Sequence, residues 1–175
     1  MKLKTPLRYP GGKSRAVPKL LQWLPSRKIT EYREPFLGGG SMAIEMTRRL
    51  PEEIPIWVND LYEPLYNFWV QLRDNGDYLH RELMRAKNFH PDEETAKKLF
   101  LDAKEQLNED NTDPKDRAVL FYIINKCSFS GLTESSSFSK AASNSNFSIR
   151  GIERLPEYSE PVSYTHLTLP TSDLV

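Results

Sequence analysis

The sequence predicts an α/β fold: part of a doubly wound parallel sheet, followed by a helical and hairpin insertion. Three observations predict it. Residues 32–73 alternate short apolar runs with helical stripes in the order β-α-β-α. A glycine triplet, Gly38-Gly39-Gly40, stands where the first strand would turn into the first helix. Beyond Asn75-Gly76 the strand signals stop and a polar, helical pattern takes over as far as a serine-rich stretch.

Each element has its own local reason. Val17, Leu20, Leu21 and Leu24 recur at helical spacing over residues 16–24, with Pro18 tolerable near the first turn. Residues 32–37, Tyr-Arg-Glu-Pro-Phe-Leu, read as a strand running into the glycines. Ser41 is expected to N-cap a helix from Met42 to Leu50, with Ala43, Met46 and Leu50 on one face. Pro51 and Pro55 mark the connection to a second strand, Ile54–Val58, which ends at Asn59-Asp60. Leu61, Leu65, Phe68 and Leu72 form the next helical stripe. Residues 77–109 read as polar helix broken at Pro91, and residues 116–125 as an apolar helix. Residues 128–148 hold nine serines with Phe129, Phe138 and Phe147 between them, a pattern expected to form a β-hairpin or an ordered loop rather than a flexible linker.

Composition bounds the function. With 175 residues the chain suffices for one domain or part of a larger one. Its 24 Lys+Arg balance 24 Asp+Glu, which argues against a histone-like polyanion binder. No run approaches the roughly 18 apolar residues of a membrane span, and the start, Met-Lys-Leu-Lys-Thr-Pro, has no apolar stretch behind its charges. Cys127 is the single cysteine, which excludes an internal disulfide or a Cys-clustered metal site. A cytoplasmic, metal-free protein is expected. The zero net charge hides an asymmetry: residues 1–28 carry eight Lys/Arg and no acid, whereas residues 74–116 carry twelve acids against seven bases. The basic segment suits a polyanion or phosphate-like ligand, and the acidic one reads as a solvated face.

Two constellations carry chemistry. In Phe36-Leu37-Gly38-Gly39-Gly40-Ser41, glycines allow a tight turn and close approach of a ligand to bare backbone. Asp60, at the end of the next strand, is placed to accept both hydroxyls of a ribose. Its alternative role is to cap the helix that follows. The triplet is neither Gly-x-Gly-x-x-Gly nor a P-loop, which favours a nucleoside without a pyrophosphate. In Leu7-Arg8-Tyr9-Pro10-Gly11-Gly12-Lys13, Tyr9 offers a stacking face, Gly11 and Gly12 offer backbone donors, and Lys13 offers a charge for a carboxylate. A flexible basic arm is the alternative. Cys127 reads as a small buried residue, with no histidine adjacent to activate it.

On these residues the chain resembles the D12 class of DNA adenine-N6 methyltransferases, the Dam-like enzymes. Tyr9-Pro10-Gly11-Gly12-Lys13 is similar to their N-terminal motif, and Glu34-Pro35-Phe36-Leu37-Gly38-Gly39-Gly40-Ser41 to their first Rossmann-like motif. Val58-Asn59-Asp60 matches their ribose-binding acid. Residues 117–126 followed by Ser128-Phe129-Ser130-Gly131-Leu132 extend the match, which covers about residues 5–155. The resemblance implies a Rossmann-like fold, S-adenosyl-L-methionine as cofactor, and double-stranded DNA as partner. It implies no metal and no membrane, a monomer, and a prokaryotic or phage host, with restriction-modification one possible setting. It assigns cofactor contacts to Tyr9, Pro10, Gly11, Gly12, Lys13, Glu34, Pro35, Phe36, Gly38, Gly40, Ser41 and Asp60. It assigns DNA contacts to Asn125, Lys126, Ser128, Ser130, Gly131, Leu132, Lys140 and Arg150, mixing phosphate and base-edge recognition. Residues 1–73 would be the N-terminal part of the cofactor domain and 74–155 the target-recognition insertion.

The same resemblance implies an Asp-Pro-Pro-Tyr-like tetrad after the insertion, which would hold a flipped adenine. Neither Asp-Pro-Pro nor Asn-Pro-Pro occurs in the chain, so no catalytic residue is assigned and this fragment is expected to be inactive alone. From Val162 the sequence fits no expected strand or helix. Val162–Leu167 reads like one frame of a transposon end used in sequencing libraries, so residues 162–175 are expected to be a non-native, adapter-derived tail, with a short C-terminal strand as the alternative. Two rival functions remain: a non-catalytic DNA-binding module, and a nicotinamide- or flavin-dependent oxidoreductase built on the same glycine turn.

Overall fold

Three parallel strands, in the order β1-β2-β3, carry the sheet: β1 (Tyr32–Glu34), β2 (Ile56–Asn59) and β3 (Thr165–Thr168). The computed structural model describes residues 3–109, 111–131, 135–163 and 165–168. In β2, Ile56 and Val58 are buried on one face while Trp57 is 38 % exposed on the other, the period-2 alternation of a strand covered on one side. β1 is shorter than the expected 32–37 because Pro35 has no N–H to give to a ladder. The pairing still reaches further along the chain, since Leu37 N–H donates to the Asn59 carbonyl at 2.8 Å.

The crossover from β1 to β2 is α2 (Ser41–Arg49), which buries Met42, Ala43, Ile44 and Met46. Its N-cap is Gly40, held left-handed at φ 66°, and Ser41 is the first helical residue, which corrects the expectation that Ser41 caps the helix. Ser41 Oγ instead shares a 2.8 Å hydrogen bond with Ser14 Oγ. The expected helix over residues 16–24 is a single α-helical turn, α1 (Val17–Leu20), continued by a tighter 3-10 turn. After β2, α3 (Glu63–Asp74) buries Leu65, Phe68, Trp69 and Leu72, while Leu61 lies before the helix and is exposed. Next come α4 (Gly76–Phe89) and α5 (Glu93–Leu107), separated at Pro91 as expected, and Asp92 caps α5 through the Thr95 N–H.

The helix α6 (Pro114–Cys127) is apolar over most of its surface, and its residues from Ala118 to Cys127 are nearly all buried. Asp113 caps it, and Pro114 starts it at a position where its missing N–H costs nothing. α6 packs against α3 on one side, where the Phe68 ring centroid lies 5.7 Å from Phe121 and 5.8 Å from Tyr122. Against its other side lies α5, whose buried residues include Phe100, Ala103 and Leu107. One continuous buried cluster therefore includes residues of the sheet, α3 and the insertion.

Two expectations fail here. The hairpin over residues 128–148 is reduced to one antiparallel bridge, Ser128 with Phe138. Within these residues α7 (Lys140–Ser145) is helical, and α8 (Ile149–Glu153) follows directly after them. The serines act as N-caps: Ser139 accepts the Ala142 N–H and Ser148 accepts the Gly151 N–H, both at 3.2 Å. Among the described residues of this stretch, one bridge and a short helix stand in place of a hairpin. Likewise, the tail from Val162 is expected to fit no strand or helix, with a short C-terminal strand as the alternative; α9 (Ser159–Ser163) runs through Val162 and Thr165–Thr168 then pairs with β2 in parallel register, as that alternative has it. No helix among the described residues is long and apolar enough to cross a membrane.

Candidate functional site

The two glycine-containing motifs, remote in sequence, meet at the carboxyl ends of β1 and β2. Gly38 and Gly40 both adopt positive φ, 50° and 66°, and Gly40 N–H closes a tight turn onto the Leu37 carbonyl at 2.8 Å. A methyl group at Gly38 would lie 2.9 Å from the Tyr9 ring, and one at Gly40 would lie 2.7 Å from the Trp69 ring. Glycine is required there by the protein's own aromatic side chains as well as by backbone conformation. Trp69 Nε1 also donates to the Gly38 carbonyl at 3.2 Å, so α3 fixes the underside of the bend. Sequence reasoning misses Trp69 at the site; its only signal is a large aromatic next to the Leu65–Phe68–Leu72 stripe.

Tyr9 is positioned by a turn of its own. Gly11 sits at φ 71° and Gly12 N–H returns to the Tyr9 carbonyl at 2.8 Å, with Pro10-Gly11 between them, the residue pattern of a type II turn. The N-terminal loop is thus tied down and not a free arm. An open cleft of about 350 Å³ lies between the two motifs, lined by Thr5, Leu7, Tyr9, Gly11, Gly12, Ser14, Arg15, Gly39 and Ser41. The Tyr9 hydroxyl is pushed above its ordinary pKa by burial and by the negative charge of Asp60.

Asp60 is 9 % exposed and both its oxygens are engaged. Oδ2 accepts the Gly38 N–H at 2.8 Å, and Oδ1 accepts the Tyr62 N–H at 3.1 Å. Asp60 thus ties the chain entering α3 and holds the glycine bend, while α3 itself has Tyr62 at its N-cap and no side-chain cap bond. An ionised carboxylate offers about four acceptor sites, so two remain for a ligand's hydroxyls. Beside it, Asn59 Oδ1 is buried with no hydrogen-bond partner among the described residues. Flanking the strand ends, Phe36 is 85 % exposed and Leu61 79 % exposed, an apolar pair next to an acid. Leu61 is not among the expected site residues, although its position directly after Asp60 is a readable signal. This donor and acceptor set fits a nucleoside with an uncharged sugar and a flat base.

Glu34 lies at the end of β1. Burial pushes its pKa up to about 7, against the pull of the Tyr32 hydroxyl, the Ala43 N–H and the Lys13 charge. Lys13 is exposed and near enough to act on Glu34 electrostatically. Pro35 ends β1, as described above.

The residues expected to touch DNA divide in two. Ser130, Lys140 and Arg150 are exposed, Lys140 in an ion pair with Glu93 at 2.5 Å. Asn125, Lys126, Ser128 and Gly131, also expected to touch DNA, are buried in this structure. Asn125 spends its amide on the backbone of Arg8 and Gly131, and the Ser128 carbonyl accepts from Arg8 Nη1 at 2.8 Å. The Lys126 ammonium lies 5.1 Å from the Tyr122 ring centroid, and burial, with Arg8 nearby, lowers its pKa to about 8. Leu132 lies outside the described residues. Cys127 is buried and its thiol pKa is raised to about 12 by burial, which makes it inert as a nucleophile.

Comparison with known proteins names this arrangement. A "Type II methyltransferase M.MjaIII" of Methanocaldococcus jannaschii is 26 % identical over 140 residues, covering 75 % of this chain and 48 % of that protein. A "Type II methyltransferase M1.LlaDCHI" of Lactococcus lactis subsp. cremoris is 27 % identical over 128 residues, 71 % of this chain and 41 % of the relative. A "DNA adenine methylase" of Vibrio cholerae is 30 % identical over 129 residues, 72 % of this chain and 42 % of the relative. The chain spans less than half the length of these curated relatives. The D12 class N6 adenine-specific DNA methyltransferase family matches residues 9–160, which takes in the Tyr9 turn, the glycine bend, Asp60 and the whole of α6. With that span matched, the chain belongs to the D12 class of N6 adenine-specific DNA methyltransferases.

Proposed function

We propose that this chain is the cofactor-binding and DNA-contacting part of a site-specific DNA adenine methyltransferase that takes S-adenosyl-L-methionine as methyl donor. The observation that carries the reading is the meeting of Tyr9, Gly38 and Asp60 beside a buried Asn59 oxygen with no partner among the described residues. S-adenosylmethionine supplies an electrophilic methyl group on a sulfonium sulfur. In this reading the Asp60 carboxylate accepts its sugar hydroxyls, Phe36 and Leu61 offer apolar faces to its base, and Lys13 faces its carboxylate. Gly11, Gly12 and the 38–41 bend line the remaining surface. Residues 1–73 serve the cofactor and 74–155 serve the duplex, with Ser130, Lys140 and Arg150 as the exposed contacts.

Transfer to adenine N6 needs an acceptor for the exocyclic amine and a surface for the flipped base. The 175 residues contain no Asp-Pro-Pro-Tyr tetrad to provide them, so methyl transfer by this chain alone is expected to be absent. For residues 162–175 an adapter-derived origin remains our proposal, supported by a family match that ends at residue 160; an in-frame genomic copy of the tail would contradict it. Calorimetric titration with S-adenosylmethionine, NAD and FAD tests the cofactor. Weak binding of the first alone is expected. Binding of NAD or FAD with S-adenosylmethionine silent would replace this reading with the oxidoreductase one, and salt-sensitive duplex binding with no cofactor affinity would favour a DNA-binding module.

A further inference from the structure

Asn125 lies 117 residues from Arg8, yet the two form a closed pair. Arg8 N–H donates to Asn125 Oδ1 at 3.0 Å, and Asn125 Nδ2 donates to the Arg8 carbonyl at 2.7 Å. The same Nδ2 reaches the Gly131 carbonyl at 3.1 Å, while Arg8 Nη1 reaches the Ser128 carbonyl at 2.8 Å. Asn125 is 1 % exposed and Arg8 half-buried, so leaving the Asn125 amide without its partners is costly.

The segment held this way is strained at one residue. Ser130 has φ 58°, the one non-glycine residue with positive φ among the described residues, and Gly131 follows at φ 73°, which glycine adopts freely. A non-glycine residue in the left-handed region persists where the surroundings over-determine it. Arg8 supplies those surroundings: a methyl group at Gly131 would lie 2.5 Å from Arg8 Cβ and 2.8 Å from its carbonyl oxygen. Arg8 is followed directly by Tyr9, whose ring lies against Gly38.

We infer that Asn125 is a positioning residue that couples the Tyr9 loop to the Phe129–Gly131 turn, so that ordering one orders the other. The inference rests on the reading above only for what the two loops bind; the mechanical tie stands on the hydrogen bonds alone. In the methyltransferase, occupancy of the cofactor cleft would set the turn in place for duplex, and duplex on the turn would tighten the cleft by the same factor.

Hydrogen exchange on the full 175-residue chain tests it in two arms. Without ligand, Gly131→Ala should speed amide exchange at Tyr9, Gly11 and Gly12 by about fivefold or more while α5 stays unchanged. In an Asn125→Ala background, the same Gly131→Ala change should add less than about twofold at those amides. Equal acceleration in both backgrounds, or acceleration confined to residues 128–131, overturns the inference. Should Gly131→Ala fail to fold, Arg8→Ala replaces it with the exchange of Phe129–Gly131 as readout, judged by the same two criteria. With ligand, saturating S-adenosylhomocysteine should slow exchange at Phe129–Gly131, and Asn125→Asp, which removes both donated bonds and keeps the acceptor, should abolish that protection. Protection that survives in Asn125→Asp also overturns the inference. Absence of any S-adenosylhomocysteine binding to the parent chain defeats the cofactor reading instead, and the ligand-free arm still decides the tie.

Discussion

Glu34 stands at the end of β1 with its carboxyl withdrawn from water, and burial lifts its pKa from an ordinary 4.5 to about 7. A carboxyl raised in the folded state favours folding while protonated. Between about pH 4.5 and pH 7 the unfolded chain ionises this group and the folded chain does not, so its contribution to stability falls as pH rises through that window and is flat above it. Glu34→Gln should therefore narrow the difference in stability between pH 5 and pH 8, measured as urea midpoints of parent and variant; an unchanged difference would show that Glu34 does not titrate there. At this scale much of the site is legible in the sequence. Tyr9, the glycines and Asp60 follow from residue type and spacing. What the glycines face is not legible, because Trp69 and Tyr9 come to rest against them only after α3 and the N-terminal turn have folded. The burial of Asn125 and Lys126 is hidden for the same reason: a polar pair in the last turn of an apolar helix reads as surface unless Arg8, the partner of Asn125, is known to return there.

Among the elements, β1-α2-β2-α3 is readable from alternation and helical stripes, with errors of about one to three residues where Pro35 and Gly40 set the true ends. The serine-rich stretch misleads because serine serves turns and N-caps equally well, and the choice depends on whether the next residues can continue a helix. Lys-Ala-Ala after Ser139 and Ile-Arg-Gly after Ser148 do so. β3 enters the sequence reading only as the alternative, because four residues take their register from the neighbour β2 rather than from any pattern of their own. Ser148→Ala should cost about 1 kcal/mol or less by removing the side-chain acceptor of the Gly151 N–H, which keeps its 3.0 Å bond to the Ser148 carbonyl. Chemical denaturation checks it, and a cost near zero would mean that α8 is held by Ile152 packing alone.

The molecule as a whole is organised around α3 and α6, which bring the expected cofactor part and the expected recognition insertion onto one core. Phe68→Ala, at the centre of that contact, should cost about 3–5 kcal/mol, a large share of the roughly 5–15 kcal/mol that stabilises a typical domain. Unfolding followed by Trp fluorescence and by far-UV circular dichroism should show coincident transitions; two separated transitions would show that the insertion folds independently. That shared core gives the Asn125 clasp a rigid base and places the Tyr9 turn over the glycine bend. The most direct test of the site is the affinity of the chain for S-adenosylmethionine with Asp60 intact and replaced. If Asp60 accepts two sugar hydroxyls as proposed, Asp60→Ala should weaken binding about tenfold or more, with Asp60→Asn between the two and both variants folded by circular dichroism. Folded variants that bind S-adenosylmethionine as tightly as the parent would contradict the account.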